Sequence, residues 1–313
     1  MKGPVYLQLT DEDLAALAIS TAEVADAIED ALCKAAAGTL WTAPKCALQP
    51  GDGRYMMATL AASDDPPVMV VKSVLLNPEN PAKGLDAING AIMVLNSETG
   101  LLRCVMGASW VTGIRTAGLS AVAARRLADP SSKVITFVGC GVQARSHLSA
   151  FADLFPLTEI RAFGRGRENI DRLCDLGRAR GLTARRVTLP QEALEGADIV
   201  VTSITATFDG APFLNAHWLK PGAFAAITDL ARPWIPETMQ AFATVVIDDH
   251  TQEKAMPVPM VAPELVSADL TGAVSGREPA TFNPARPGAF IFRGMAAGDF
   301  AVAALAYGRS CKG

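Results

Sequence analysis

Several groups of residues have types and spacings that can do chemistry. Gly139-x-Gly141-x-x-Ala144 directly follows an apolar run, 134–138, and precedes a helical pattern through His147, Leu148 and Phe151. In a strand–turn–helix unit the first glycine makes the bend and the second lets a pyrophosphate approach the backbone. The third position packs helix on strand, and alanine is a permitted variant there. This reads as a dinucleotide-binding turn, with Val142 and Gln143 opening the helix; the alternative is an ordinary β–turn–α corner. The next strand, 159–163, ends in Gly164-Arg165-Gly166-Arg167, with no carboxylate until Glu168. An acidic residue at that end suits the ribose hydroxyls of NAD, whereas arginine suits a 2′-phosphate, so NADP(H) is favoured over NAD(H). Thr202, Ser203 and Ile204 close a later apolar run, 198–204, at the strand end where open α/β sheets bind ligands. Two cations complete the set. Lys72 interrupts the apolar run 68–76 and reads either as an edge or snorkelling lysine or as a working amine. Arg115, followed by Thr116, sits near the start of the helical segment 109–128. A guanidinium beside free helix N–H groups clamps carboxylate or phosphate; a surface arginine is the alternative.

The elements that hold these residues follow from periodicity and caps. Residues 5–9 read as a short strand, Thr10 or Asp11 caps a first helix, and Ser20 and Thr21 open a second that ends at Gly38. Short β pieces at 45–49, 55–63, 68–76, 87–96 and 100–106 predict a mixed or antiparallel sheet. Small residues at 117, 121, 124 and 128 suit a closely packed helix. Strands at 134–138, 159–163, 184–187, 198–204, 223–228 and 245–247 predict repeated βα units. The Pro- and Gly-rich stretch 256–288 reads as a long connection to a closing helix at 295–307.

Composition sets the outer bounds. A chain of 313 residues predicts two domains. Its net charge of −4, with scattered basic residues, gives no footprint for nucleic acid. Nothing reads as a targeting segment or membrane span, so the expected location is cytoplasmic. Six cysteines without a C-x-x-C pair read as buried thiols in a reducing compartment, and three histidines without ligand spacing predict no metal site.

Further residues recur in an order that is specific in combination. They are Pro44-Lys45, Met57-Ala58, Lys72, Asn80 with Gly84-Leu85, Gly90, Thr99-Gly100, Thr112-x-x-Arg115-Thr116-Ala117, Gly139-x-Gly141-x-Gln143-Ala144 with His147-Leu148, Pro233 with Glu237, and Gly294-x-Ala296-x-x-Asp299. Together they resemble the ornithine cyclodeaminase and mu-crystallin family over nearly the whole chain. The resemblance implies an α/β protein with a Rossmann dinucleotide-binding domain, 118–289, inserted in an α+β substrate-binding and dimerisation domain, 1–117 plus 290–313. It implies a homodimer with the substrate held between the two domains. It also implies that Lys45, Lys72 and Arg115 face a substrate carboxylate, with Met57 beside them. Arg115, Thr116, Gly139, Gly141, Val142, Gln143, Gly164, Arg165, Arg167, Thr202, Ser203 and Ile204 would line the cofactor.

Members of that family reduce an imine of an α-keto acid with nicotinamide hydride, or run the reverse oxidation; some expel ammonia and close a ring. A carboxylate must then be oriented and a cation near the imine nitrogen must manage a proton, which suits Lys72 and Arg115. Three positions depart from the family pattern: Lys45 replaces a frequent arginine, Gly107 a frequent aspartate, and Ala231 the aspartate that cyclodeaminases carry two residues before the proline matched by Pro233. Asp229 can substitute only if its loop is shifted, and it joins Lys72 as a candidate catalytic residue. The expected activity is an NADP-dependent reductase of a small imine, cyclic such as pyrroline-2-carboxylate or open-chain, giving an L-amino acid, or the reverse dehydrogenation. The alternatives are a cyclodeaminase forming proline and a non-catalytic, mu-crystallin-like NADP-binding protein.

Overall fold

The structure, a computed structural model, describes residues 6–205 and 208–311; Val5, the first residue of the expected opening strand, lies outside them. In chain order the elements are β1 (Leu7–Leu9), α1 (Asp11–Ala16), α2 (Thr21–Ala37), β2 (Leu40–Thr42), β3 (Cys46–Leu48), β4 (Tyr55–Asp64), β5 (Pro67–Leu76), β6 (Ile88–Asn96), β7 (Leu102–Gly107) and α3 (Ala108–Leu127). Then come β8 (Val134–Val138), α4 (Val142–Leu154), β9 (Glu159–Phe163), α5 (Arg167–Ala179), β10 (Thr183–Arg186), α6 (Pro190–Leu194), β11 (Ile199–Thr202), β12 (Phe224–Ile227), β13 (Thr244–Ile247), α7 (His250–Lys254), β14 (Val266–Asp269), α8 (Leu270–Ser275), β15 (Gly288–Ile291) and α9 (Ala296–Ser310). Contacts divide the chain into two compact units, Met1–Arg115 with Met295–Gly313, and Thr116–Gly294.

In the first unit, capping boxes start both opening helices. The Thr10 hydroxyl accepts the Asp13 N–H while the Asp13 carboxylate accepts the Thr10 N–H, and Ser20 and Glu23 repeat the arrangement. Each cap is worth about 1 kcal/mol. The sheet runs β1-β7-β6-β5-β4-β2, with β3 also on β4. Only β1–β7 is parallel, so the sheet is mixed. Strand alternation gives it two different faces. Thr59, Lys72, Ile92 and Met106 lie opposite one another and are buried on one face, where α9 packs on β4, β5 and β6 and α2 packs on α9. The other face carries the apolar rows Leu60–Val71–Met93–Val105 and Trp41–Ala62–Met69–Leu95, with Leu60, Met93 and Trp41 exposed.

The second unit is built on eight parallel strands in the order β10-β9-β8-β11-β12-β15-β13-β14. The direction of winding reverses between β8 and β11, as in a Rossmann sheet. Six strands were expected, and the stretch read as a plain connection contains β14 and leads into β15. β15 pairs with β12 on one side and β13 on the other. All of it therefore lies in the second unit, although the expected domain limit at 289/290 would cut through it. The thiol expectation also needs correcting: Cys104, Cys140 and Cys174 are buried, whereas Cys33, Cys46 and Cys311 are exposed. Among the described residues no helix is long and apolar enough to cross a membrane.

Candidate active site

In the first unit a dry ion cluster forms around Asp299. Lys72 is neither at an edge nor snorkelling: it occupies the middle of a central strand, with 0 % of its surface exposed. Its Nζ donates to Asp299 Oδ1 at 2.6 Å. Thr59, directly opposite on β4, donates its hydroxyl to Asp299 Oδ2 at 2.9 Å. Arg115 Nε lies 3.0 Å from the same Oδ1 as Lys72, an ion pair by distance, although its N–H is not aimed as a hydrogen bond. Thr112, one turn before Arg115 on α3, stands 3.4 Å from the lysine nitrogen. Asp299 is in the first turn of α9, where the helix dipole favours a carboxylate.

These contacts set the charges. Burial and then the like charge of Arg115 pull the Lys72 amine down to about 8, against the opposing pull of Asp299; Lys45 adds a smaller repulsion. Burial pushes the Asp299 carboxyl up, but Lys72, Arg115 and the Thr59 hydroxyl together hold it below the usual carboxylate range. The outcome is a fixed carboxylate beside an amine poised to gain or lose a proton near neutrality. Asp299 was not among the candidate site residues. Its signal was available, since it is the one acid in the apolar run 296–310.

Lys45, half-buried between β2 and β3, is close enough for Lys72 to feel its charge. Met57 shares the inner face of β4 with Thr59, opposite Val74. Arg115 departs from its expected setting, because α3 begins at Ala108 and Arg115 is two turns inside the helix, away from free N–H groups. The start of α3 is instead served by Asp11, whose Oδ1 accepts the Trp110 N–H at 2.8 Å. A Cβ on Gly107 would stand 2.5 Å from that oxygen, so the glycine makes room for an acid brought from elsewhere in the chain.

In the second unit the glycine turn lies at the sheet's reversal point. Gly139 has φ +88°, and a Cβ there would meet the Ser203 carbonyl oxygen at 2.5 Å; the Ser203 hydroxyl donates to the Gly139 carbonyl at 3.2 Å. Gly141, extended, precedes α4 with no side-chain cap, and nothing lies within 4 Å of where its Cβ would be. Val142 is exposed, Ala144 is fully buried, and Gln143 Oε1 is buried without a hydrogen-bond partner. An uncapped helix start, an open approach over Gly141 and an unpartnered side-chain oxygen fit a dinucleotide pyrophosphate and its sugar hydroxyls. Gly164 follows β9 beside Cys140, and Arg165 and Arg167 beyond it are exposed. Thr116 is buried in α3.

Asp229, just after β12, turns its carboxylate into the end of β11. Its Oδ1 accepts the Thr202 hydroxyl at 3.0 Å and its Oδ2 the Ile204 N–H at 3.1 Å. Burial raises this carboxyl to about 6, against the hydrogen bonds. Leu230 and Ala231 come next in the left-handed region, at φ 61° and 57°, a conformation that side chains other than glycine rarely adopt. Both carboxylate oxygens of Asp229 are thus occupied in holding Thr202 and Ile204.

A parallel sheet that reverses beside a glycine turn, joined in one chain to a buried lysine–aspartate–arginine cluster, defines the class: an α/β oxidoreductase with a Rossmann unit. The chain belongs to the ornithine cyclodeaminase/mu-crystallin family, which matches residues 8–313. It is 30% identical to alanine dehydrogenase of Archaeoglobus fulgidus over 96% of this chain and 94% of that one. It is 28% identical to ketimine reductase mu-crystallin of Mus musculus over 80% of this chain and 79% of that protein. Among solved structures, an archaeal alanine dehydrogenase dimer with bound NAD superposes with a TM-score of 0.87 at 26% identity, over 98% of this chain and 96% of that one.

Proposed function

We propose that the protein is an NAD(P)H-dependent reductase of a small imine of an α-keto acid, either a cyclic ketimine such as pyrroline-2-carboxylate or an open-chain imino acid. The product is an L-amino acid, and the reverse dehydrogenation uses the same residues. The observation that carries this reading is Lys72, buried against Asp299 and Arg115 with its proton poised near neutrality. Nicotinamide dinucleotide, when bound, supplies or accepts the hydride. Lys72 donates the proton that the imine nitrogen gains as the carbon–nitrogen double bond is reduced, and accepts it in the reverse direction. Arg115 and Lys45 bind the substrate carboxylate; Lys45 does so as a point charge where arginine would offer a fork. Met57, on the same strand face, bears on the substrate side chain. Gly139, Gly141, Val142 and Gln143 hold the pyrophosphate region, and Asp229 keeps Thr202 to Ile204 in place for the cofactor. The exposed Arg165 and Arg167 favour NADPH, since residues 164–167 after β9 include no carboxylate and the only acid that pairs with Arg167 among the described residues is Asp171, at 3.9 Å one helical turn on.

The exposed apolar rows of the first sheet support a homodimer through that face. Ala231 and the engaged carboxylate of Asp229 weigh against cyclodeamination. The test monitors oxidation of NADPH, and separately NADH, with pyrroline-2-carboxylate, piperideine-2-carboxylate, and pyruvate, glyoxylate or oxaloacetate each with ammonia or methylamine. Turnover of one member, faster with NADPH, is expected. No turnover in the panel, with proline and ammonia appearing from ornithine and NAD, would replace this reading with a cyclodeaminase.

A further inference from the structure

Resting on that reading, we propose that Asp299 is the positioning residue of the site: its carboxylate holds the Lys72 amine in place and keeps it charged for proton donation, with Arg115 as a second cation on the same oxygen. The geometry allows little else. One oxygen, Oδ1, is shared by the Lys72 amine at 2.6 Å and Arg115 Nε at 3.0 Å, and the other is pinned by Thr59 at 2.9 Å. Two cations therefore meet on one oxygen while the rotation of the carboxylate is stopped from the strand side. Asp299 is 2 % exposed, so bulk solvent screens these contacts little. The charged groups around Lys72 are Arg115 from α3, Asp299 from α9 and Lys45 from between β2 and β3; Thr59 and Thr112 are neutral. Two of the three charges repel a proton from Lys72 and only Asp299 attracts it. Without Asp299, burial and both cations would act unopposed, and the amine would be neutral at the pH where it must donate.

Loss of a contact that only pinned α9 to the sheet would lower stability, whereas loss of the charge 2.6 Å from the amine also moves the titration of Lys72. The discriminating measurement is therefore the alkaline limb of the kcat profile for imine reduction, where Lys72 loses its proton. In Asp299→Asn this limb should move to lower pH by about one unit or more, since opposite charges at such distances shift a titration by about 1–3 units. NADPH binding, measured by its fluorescence, should be unchanged, and Asp299→Glu should restore part of the limb. Thr59→Val, which loosens the carboxylate without removing it, should move the limb the same way by less. It decides the matter if Asp299→Asn does not fold. The proposal is overturned if Asp299→Asn binds NADPH and keeps the wild-type limb, or if Thr59→Val leaves the limb in place. If the wild-type protein reduces no imine, the functional reading fails separately. The Lys72 13Cε shift in lysine-labelled protein, assigned by its loss in Lys72→Met, then reports the same titration without turnover, and an unchanged midpoint in the Asp299 and Thr59 variants overturns the proposal.

Discussion

Lys72, Asp229 and His147 have all been taken out of water, and their partners decide how each one titrates. Lys72 has one opposite charge and two like ones, so it ends near neutrality rather than fully discharged. Asp229 is raised by burial to about 6, against its hydrogen-bond donors and the smaller pull of Arg232. His147 has no charged partner: its Nε2 lies 2.9 Å from the Ser120 hydroxyl and its Nδ1 2.8 Å from the Gln143 carbonyl. That carbonyl can only accept, so Nδ1 carries the proton and Nε2 accepts from Ser120. Burial lowers this imidazole from 6.5 to about 4, against the help of the carbonyl. Between those values the unfolded chain binds a proton that the native state refuses, so stability falls as the pH drops through that window. At about 1.4 kcal/mol per unit the loss approaches about 3 kcal/mol near pH 4. His147→Gln should be the less stable protein at pH 7, and its deficit should shrink toward pH 4. Urea midpoints for both proteins across that range test this, and a constant difference would show that His147 does not titrate as described.

At the scale of elements, Gly139 joins backbone geometry to ligand binding. The methyl group of Gly139→Ala would press on the Ser203 main chain, which has no flexible end to yield, from a φ that alanine resists. Such strain costs about 1–3 kcal/mol, and relaxing it displaces the turn, so NADPH affinity measured by fluorescence titration should fall ten-fold or more. The turn was legible in the sequence because strand, glycines and helix succeed one another within a few residues. The starts of the two opening helices were legible as well, although the sequence left the first cap open between Thr10 and Asp11. β15 was not legible: four residues, Gly288 to Ile291, lie just after Pro284 and Pro287, and only pairing with β12 and β13, distant in sequence, makes them a strand. The cluster around Lys72 was half legible. An odd lysine in an apolar strand and the Thr112-x-x-Arg115 spacing are local signals, whereas the bond from Lys72 to Asp299 joins positions 227 residues apart. The role of Asp11 at the start of α3 has the same cause: the acid missing at Gly107 is supplied from a distant part of the chain.

For the whole molecule, the first sheet poses a packing problem that one chain leaves unsolved. Its inner face is closed by α9, but the outer face keeps two cross-strand rows of apolar side chains, and Leu60, Met93 and Trp41 remain substantially in water. Alternation in β4, β5 and β6 makes both faces apolar, which a sheet with one solvated face would not need. In the proposed homodimer a second copy related by a twofold axis would cover this surface with its own equivalent. Leu60→Glu with Met93→Glu places two charges in the middle of that face. Because both side chains are exposed in the single chain, the double variant should keep its fold by circular dichroism while light scattering finds it reduced to monomer. Carboxylates brought together from two copies cannot be desolvated without several kcal/mol of cost, whereas on a free surface they are merely hydrated. A double variant that keeps the wild-type mass would place the interface elsewhere and leave the apolar rows for a different partner.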